Sequence, residues 1–208
     1  MFTPYNKPQA FFMKKITLIA AMTLACFAGF SQSFMHGAGL NVFVANASGG
    51  QTSVNGGISY SPRFNFIEQD DMSVSVGVPF TVGVSGSYSA NYNSQYGSSS
   101  SNTLSFMLNA PVIINLNMGA GSTKEAESRF GYFVGAGFGY HYGTYNISDI
   151  INGDEVGTKF SAMGPVGNAG VRFAVGSGSH NIEVRLQYMK GINDVKPNIF
   201  SAGAAFNF

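Results

Sequence analysis

Between Met72 and Tyr88 the chain reads MSVSVGVPFTVGVSGSY, and its apolar and polar positions alternate with a period of two. Met72, Val74, Val76, Val78, Phe80, Val82 and Val84 fall on one face, and Ser73, Ser75, Gly77, Pro79, Thr81, Gly83 and Ser85 on the other. Alternation of this kind is the mark of a β-strand with one apolar face. The run is far longer than the usual five or six residues of a soluble strand and long enough to cross a bilayer at a tilt, which takes roughly nine to eleven.

The same pattern recurs along the chain and predicts eight strands. The first covers Leu40 to Ala45, and the second Val54 to Phe66, with Val54, Ile58, Tyr60, Phe64 and Phe66 outward. After an acidic turn, Glu68 to Asp71, comes the Met72–Tyr88 strand. The fourth alternates from Leu104 to Met118, with Asn109, Asn115 and Asn117 on the opposite face, and the fifth from Phe130 to Gly143. The sixth, Phe160 to Val175, changes parity near Pro165 or Gly167, which predicts a bulge. The seventh sets Ile182, Val184, Leu186 and Tyr188 against Glu183, Arg185 and Gln187, and the eighth ends on Phe200, Ala202, Ala204, Phe206 and Phe208. The expected fold is all-β, an eight-stranded antiparallel up-and-down transmembrane β-barrel, because a closed barrel satisfies every backbone group within lipid. Its even strand count brings both ends of the wall to the periplasmic side. The polar stretches ANYNSQYGSSSSN and NISDIINGDEVGT then become outer loops, and the Gly119–Ser128 connection is longer than periplasmic turns usually are.

The start of the chain is different. Lys14 and Lys15 precede the apolar run Ile16 to Phe30, and small residues follow at Ser31 and Ser33, the make-up of a secretory signal peptide with cleavage after one of those serines. Residues 1–33 are read as an N-terminal extension plus signal peptide, with Met13 as the true start, and residues 34–208 as the barrel domain. Export removes Lys7, Lys14 and Lys15, so eight Lys and Arg (11 − 3) face ten Asp and Glu, a balance of −2. That argues against a nucleic-acid partner. Cys26, the single cysteine, leaves with the signal. Charged residues make up only 10% of the chain against the quarter or so of a soluble protein, so the outer wall faces lipid.

The C-terminal strand of alternating aromatics ending in Phe208 resembles the outer-membrane assembly signal of bacterial barrels. Leu108-Asn109-Ala110-Pro111-Val112-Ile113 and Ile182-Glu183-Val184-Arg185-Leu186-Gln187-Tyr188, followed by Gly191-Ile192-Asn193, are similar to segments of the PorT-like and OmpX-like bacterial outer-membrane β-barrel proteins. The resemblance implies residence in the outer membrane, contact with its lipid, and recognition of the Phe208 strand by the barrel-assembly machinery. It implies no particular activity.

Strand parity turns Arg63, Arg129, Arg172 and Arg185 inward, toward the periplasmic ends of their strands and near Glu183. This set reads either as an anion site or gate, or as a structural polar network plugging the lumen. The plug is favoured, because eight strands leave an interior just wide enough for side chains to fill. Gly135, Gly137 and Gly139 share one lumen wall and lack the turn and helix start of a phosphate loop. His141 has neither a nucleophile elbow nor an acid beside it, and His36, His141 and His180 are too far apart for a metal site. No catalytic, metal or cofactor site is expected. The functional expectation is a structural or surface-interaction protein with a packed lumen, whose outer loops meet an extracellular ligand. The alternatives are a membrane-embedded enzyme acting on lipid or lipopolysaccharide, a small-solute pore, and a soluble lipocalin-like barrel with the same alternation inverted.

Overall fold

The computed structural model describes residues 32–46, 52–91, 99–148, 155–176, 179–193 and 196–208. The signal-peptide segment, parts of the four outer loops and residues 177–178 of the turn before β10 lie outside these. Eleven strand segments are present among the described residues: β1 (Ser33–Met35), β2 (Gly37–Asn46), β3 (Ser53–Tyr60), β4 (Arg63–Gln69), β5 (Met72–Gly77), β6 (Phe80–Asn91), β7 (Ser99–Gly119), β8 (Phe130–Ser148), β9 (Glu155–Ala174), β10 (Asn181–Lys190) and β11 (Asn198–Asn207). Three pairs of segments are single wall strands with a break, β1–β2 at His36, β3–β4 at Ser61–Pro62 and β5–β6 at Val78–Pro79. Every neighbour is antiparallel, and β11 pairs with β2 (Ala204 opposite Leu40), so the eight strands close into a barrel with no free edge. The wall begins at Ser33, one residue before the expected boundary, and Ser33 pairs with Asn65.

Alternation sorts the wall as the pattern predicts. On β5 Ser73 and Ser75, and on β6 Thr81, are buried, while Met72, Phe80, Val82 and Val84 are exposed. Leu40 and Leu186, 66% and 63% exposed, meet the membrane, whereas Met107 and Ile113, at 0%, are inside. An apolar residue exposed on this wall lies against lipid rather than water.

Four expectations are corrected. First, β9 has no bulge: its register to β8 and to β10 is constant along its length. Pro165 and Gly167 point outward and Ala162 and Val166 inward, because the lumen has an apolar layer of its own, formed by Phe43, Ala45, Met107, Ile113, Ala162, Val166, Met189 and Ile199. The lumen is therefore not uniformly polar. Second, the irregularity lies in β4, where the register slips between Asn65 and Ile67, so that Ile67 rather than Phe66 takes the next outward place.

Third, the low-complexity stretches are partly ladder. Ser89, Ala90 and Asn91 pair with Ser101, Ser100 and Ser99, and β8 stays paired with β9 out to Ser148 opposite Glu155. Beyond the membrane a ladder no longer needs apolar side chains, so hydropathy underestimates its length.

Fourth, a closed barrel has no edge for a proline, which predicts Pro79 and Pro111 facing each other as a non-hydrogen-bonded pair with each missing donor turned to the outer neighbouring strand; they are in register, but the two missing donors face each other. Gly77 pairs with Ile113 and Thr81 with Asn109, which sets Pro79 directly opposite Pro111. Val78 N–H donates to Pro62 O (3.1 Å), away from β7, so the nitrogen of Pro79 faces β7. Gly119 N–H donates to Asp71 O (2.7 Å), and alternation along β7 then turns the nitrogen of Pro111 toward Pro79. Both missing donors share one rung. On the neighbouring ladder Pro62, opposite Val78, is a further residue without a donor, so the losses cluster at one height of the wall.

Because the apolar layer fills the lumen, Phe43→Ala should destabilise the refolded barrel by about 3–5 kcal/mol, as in a soluble core. Denaturant unfolding in micelles measures this, and a neutral effect would mean that water fills the lumen at that level.

Candidate functional site: a charged network beneath an apolar layer

The inward positions near the ends of the chain carry the barrel's buried charge. Parity puts Arg63 on β4, Arg172 on β9, and Glu183 and Arg185 on β10 into one cluster. Arg172 Nε donates to Glu183 Oε2 at 2.7 Å, and Arg185 Nη2 bonds the other carboxylate oxygen. One buried carboxylate thus joins two guanidinium groups, and Asn207 Nδ2 reaches it at 3.3 Å. The ring of Phe133 packs beneath both cations, 4.3 Å from Arg172 Cζ and 5.5 Å from Arg185 Cζ.

Arg129 does not join them. It lies exposed in the turn before β8, outside the alternating wall, so the parity argument that turned it inward has no strand to act on.

The network extends to groups that parity alone does not single out. Asn117 Oδ1 accepts from Arg172 Nη1 (3.0 Å) and Arg63 Nη1 (3.4 Å), while its Nδ2 donates to Ser75 Oγ (2.9 Å) and Ser73 Oγ (3.2 Å). The asparagine run on the inner face of β7 was the visible signal for this centre. The long Gly119–Ser128 connection supplies the rest. Ala120, Gly121, Ser122 and Thr123 are buried, so the segment turns back into the barrel mouth instead of passing around it.

Arg63 Nη2 donates to Gly121 O at 2.6 Å, and Asn65 Nδ2 and Ser73 Oγ donate to Ser122 O at 2.9 and 2.6 Å. Gly119 and Gly121 have φ of +72° and +66°, conformations that side chains disfavour, and a Cβ on Gly121 would also press on Asn181. Thr123 Oγ1 to Asp70 O (3.0 Å) and Ser128 Oγ to Asp71 (2.5 Å) fasten the segment to the neighbouring turn.

Above this floor, His141 is buried with its Nδ1 3.3 Å from Asn109 Oδ1 and its ring 5.6 Å from Phe43. His36 and His180 lie at the rim where the chain ends, beside Phe208 and Phe206. Among the described residues no group of three His, Cys, Asp or Glu is placed to hold a metal. Gly135, Gly137 and Gly139 line a crowded wall: a Cβ on Gly139 would come within 2.7 Å of Val166 Cγ2. They make room for neighbouring side chains and backbone.

An eight-stranded barrel with a lipid-facing wall, a plugged mouth and an apolar layer above it defines a small outer-membrane protein. The sequence matches the outer membrane protein beta-barrel domain family over residues 17–208, and the chain belongs to that family. It is a protein of the bacterial outer membrane. The match is to the family as a whole and does not single out its PorT-like members.

Two crystal structures of Ail, the attachment invasion locus protein of Yersinia pestis, share the fold. One, in complex with the heparin analogue sucrose octasulfate, is 15% identical with a TM-score of 0.51, and the other is 14% identical with a TM-score of 0.52. Each comparison covers 86% of this chain and 99% of Ail. Neisserial surface protein A is also similar, at 13% identity over 85% of this chain and 97% of its own, with a TM-score of 0.49. Among curated proteins none matches.

Removing one partner of a buried ion pair strands the other charge, at a cost of roughly 3–5 kcal/mol. Glu183→Gln should destabilise the barrel by about that much, and Arg129→Gln by no more than about 0.5 kcal/mol. Paired denaturation curves test the contrast, and equal effects would dissolve the network as drawn.

Proposed function

We propose that the protein is a closed wall element of the outer membrane with a structural or surface-interaction role, and neither a pore nor an enzyme. The observation that carries this reading is the double closure of the lumen. The Gly119–Ser128 segment and its arginine network fill one level, and Phe43, Met107, Ile113, Val166, Met189 and Ile199 fill the next. Ions crossing the barrel would have to displace both. An apolar layer also resists wetting, which sets this lumen apart from a merely narrow polar one.

Two further observations favour the closed wall over embedded lipid or lipopolysaccharide chemistry. The inward histidine, His141, is enclosed by Asn109 and Phe43, and the buried carboxylate, Glu183, is engaged by two arginines. Neither group is set out to work on a substrate.

Activity then belongs to the outer loops, as an unidentified extracellular ligand would require. Ail, a barrel of the same fold, was crystallised with a sulfated heparin analogue. The mature balance of about −2 here favours a partner other than a polyanion. At the opposite end, the exposed ring of Phe208 and its backbone bond to His36 O (2.9 Å) suit it to recognition by the assembly machinery. The signal-peptide reading fits cleavage after Ser31, which keeps Ser33 to bond Glu68.

Planar-bilayer recording of the purified, refolded barrel tests the closure. The expected trace has no unit conductance steps, and discrete steps would overturn the reading in favour of a small-solute pore.

A further inference from the structure

Arg63 is the one member of the cluster without a carboxylate at ion-pair distance among the described residues. It is 8% exposed, and its Nη atoms go to neutral acceptors: Gly121 O at 2.6 Å, Asn117 Oδ1 at 3.4 Å and Met35 Sδ at 3.0 Å. Its Nε has no hydrogen-bond partner, and neither has Nε of Arg185. Two guanidinium groups share Glu183, Arg63 stands beside them, and Glu68, held by Asn65 Nδ2 at 2.7 Å and by Ser33, is the second carboxylate of the network. The balance at this level is 3 − 2 = +1, inside a wall surrounded by lipid.

A cavity of about 20 Å³ opens at the same place, where Arg63, Arg172 and Arg185 line it together with the Glu183 carboxylate, Asn115 and Pro79. On the wall side it is bounded by Ser61, Pro62, Gly77 and Pro79, where the strands break across the Val78–Pro62 contact. The volume suits a single water-sized occupant. Phosphate and sulfate are too large for it.

We propose that this cavity is a binding site for one monovalent halide ion, chloride in the cell. A halide there supplies the missing negative charge, accepts from the unpartnered Nε of Arg63, and has the size of the space. Asn115, whose Oδ1 also lacks a donor, lines the same cavity. A water molecule would fill the volume but leave the charge of Arg63 uncompensated. The ion is a fixed counter-charge, not a permeant one, so the proposal rests on the closed-lumen reading.

The test is thermal unfolding of the full barrel refolded in micelles, with sodium gluconate replaced stepwise by sodium chloride or bromide at constant ionic strength. The expected result is a saturable rise in apparent Tm of about 2–4 °C, which is lost in Arg63→Met. Equal Tm in gluconate and in both halides would overturn the site. Because Arg63→Met can fail to fold, wild-type crystals soaked in bromide give a second readout: an anomalous peak beside Arg63 supports the site, and water alone in the cavity overturns it. Conductance steps would refute the closed lumen. A halide-independent Tm in a non-conducting barrel would refute this inference alone.

Discussion

Glu183 faces two guanidinium groups at the floor of a lumen too narrow for bulk water, and the half of the barrel nearest the chain ends is arranged around that carboxylate. Lipid outside excludes charge from the wall, and eight strands inside leave room only for side chains. Charged groups that enter must therefore be paired or hydrogen-bonded where they stand. Arg172 and Arg185 are held by Glu183, and Arg63 is held by backbone carbonyl and amide oxygen. The Gly119–Ser128 segment turns inward because the arginines and Asn65 need acceptors, which its carbonyls supply. The same contacts close the mouth, so satisfying the buried charge and sealing the barrel are one event.

The proline rung is a second constraint with a local answer. A closed barrel has no edge on which to place a residue that cannot donate. Putting Pro79 opposite Pro111 keeps the cost of that pair on a single rung. Pro62 lies one strand further on, opposite Val78, where the register also breaks without slipping. These interruptions sit at the height of the arginine cluster, which is why the wall there encloses a small cavity rather than continuous packing.

The wall itself was legible in the sequence, because lipid on one side and a narrow lumen on the other force strict alternation. Strands such as Ile182–Tyr188 and Phe200–Phe208 could be read residue by residue. Reading failed where apolar no longer meant outward: Ala162 and Val166 belong to an internal layer, and hydropathy cannot separate such a layer from lipid contact. It failed again outside the wall, where parity has no meaning. Arg129 sits in a turn, and the inward fold of Gly121 to Thr123 depends on acceptors offered to distant arginines. Three members of the expected arginine set, with Glu183, do come together. Asn117, which links two of those arginines, was visible only as one of several inward asparagines. The ladder beyond the membrane escaped notice because its serines and asparagines carry no apolar signal.

The inward fold of the Gly119–Ser128 segment is the central claim, and thiol labelling of single-cysteine variants measures it most directly. Thr123→Cys and Glu125→Cys, each made in the mature chain, place one thiol on the buried part of the segment and one on its exposed part. A membrane-impermeant reagent should modify the Glu125→Cys barrel rapidly and leave Thr123→Cys unmodified until the barrel is unfolded. Equal rapid labelling of both folded variants would contradict the plug and the network built on it.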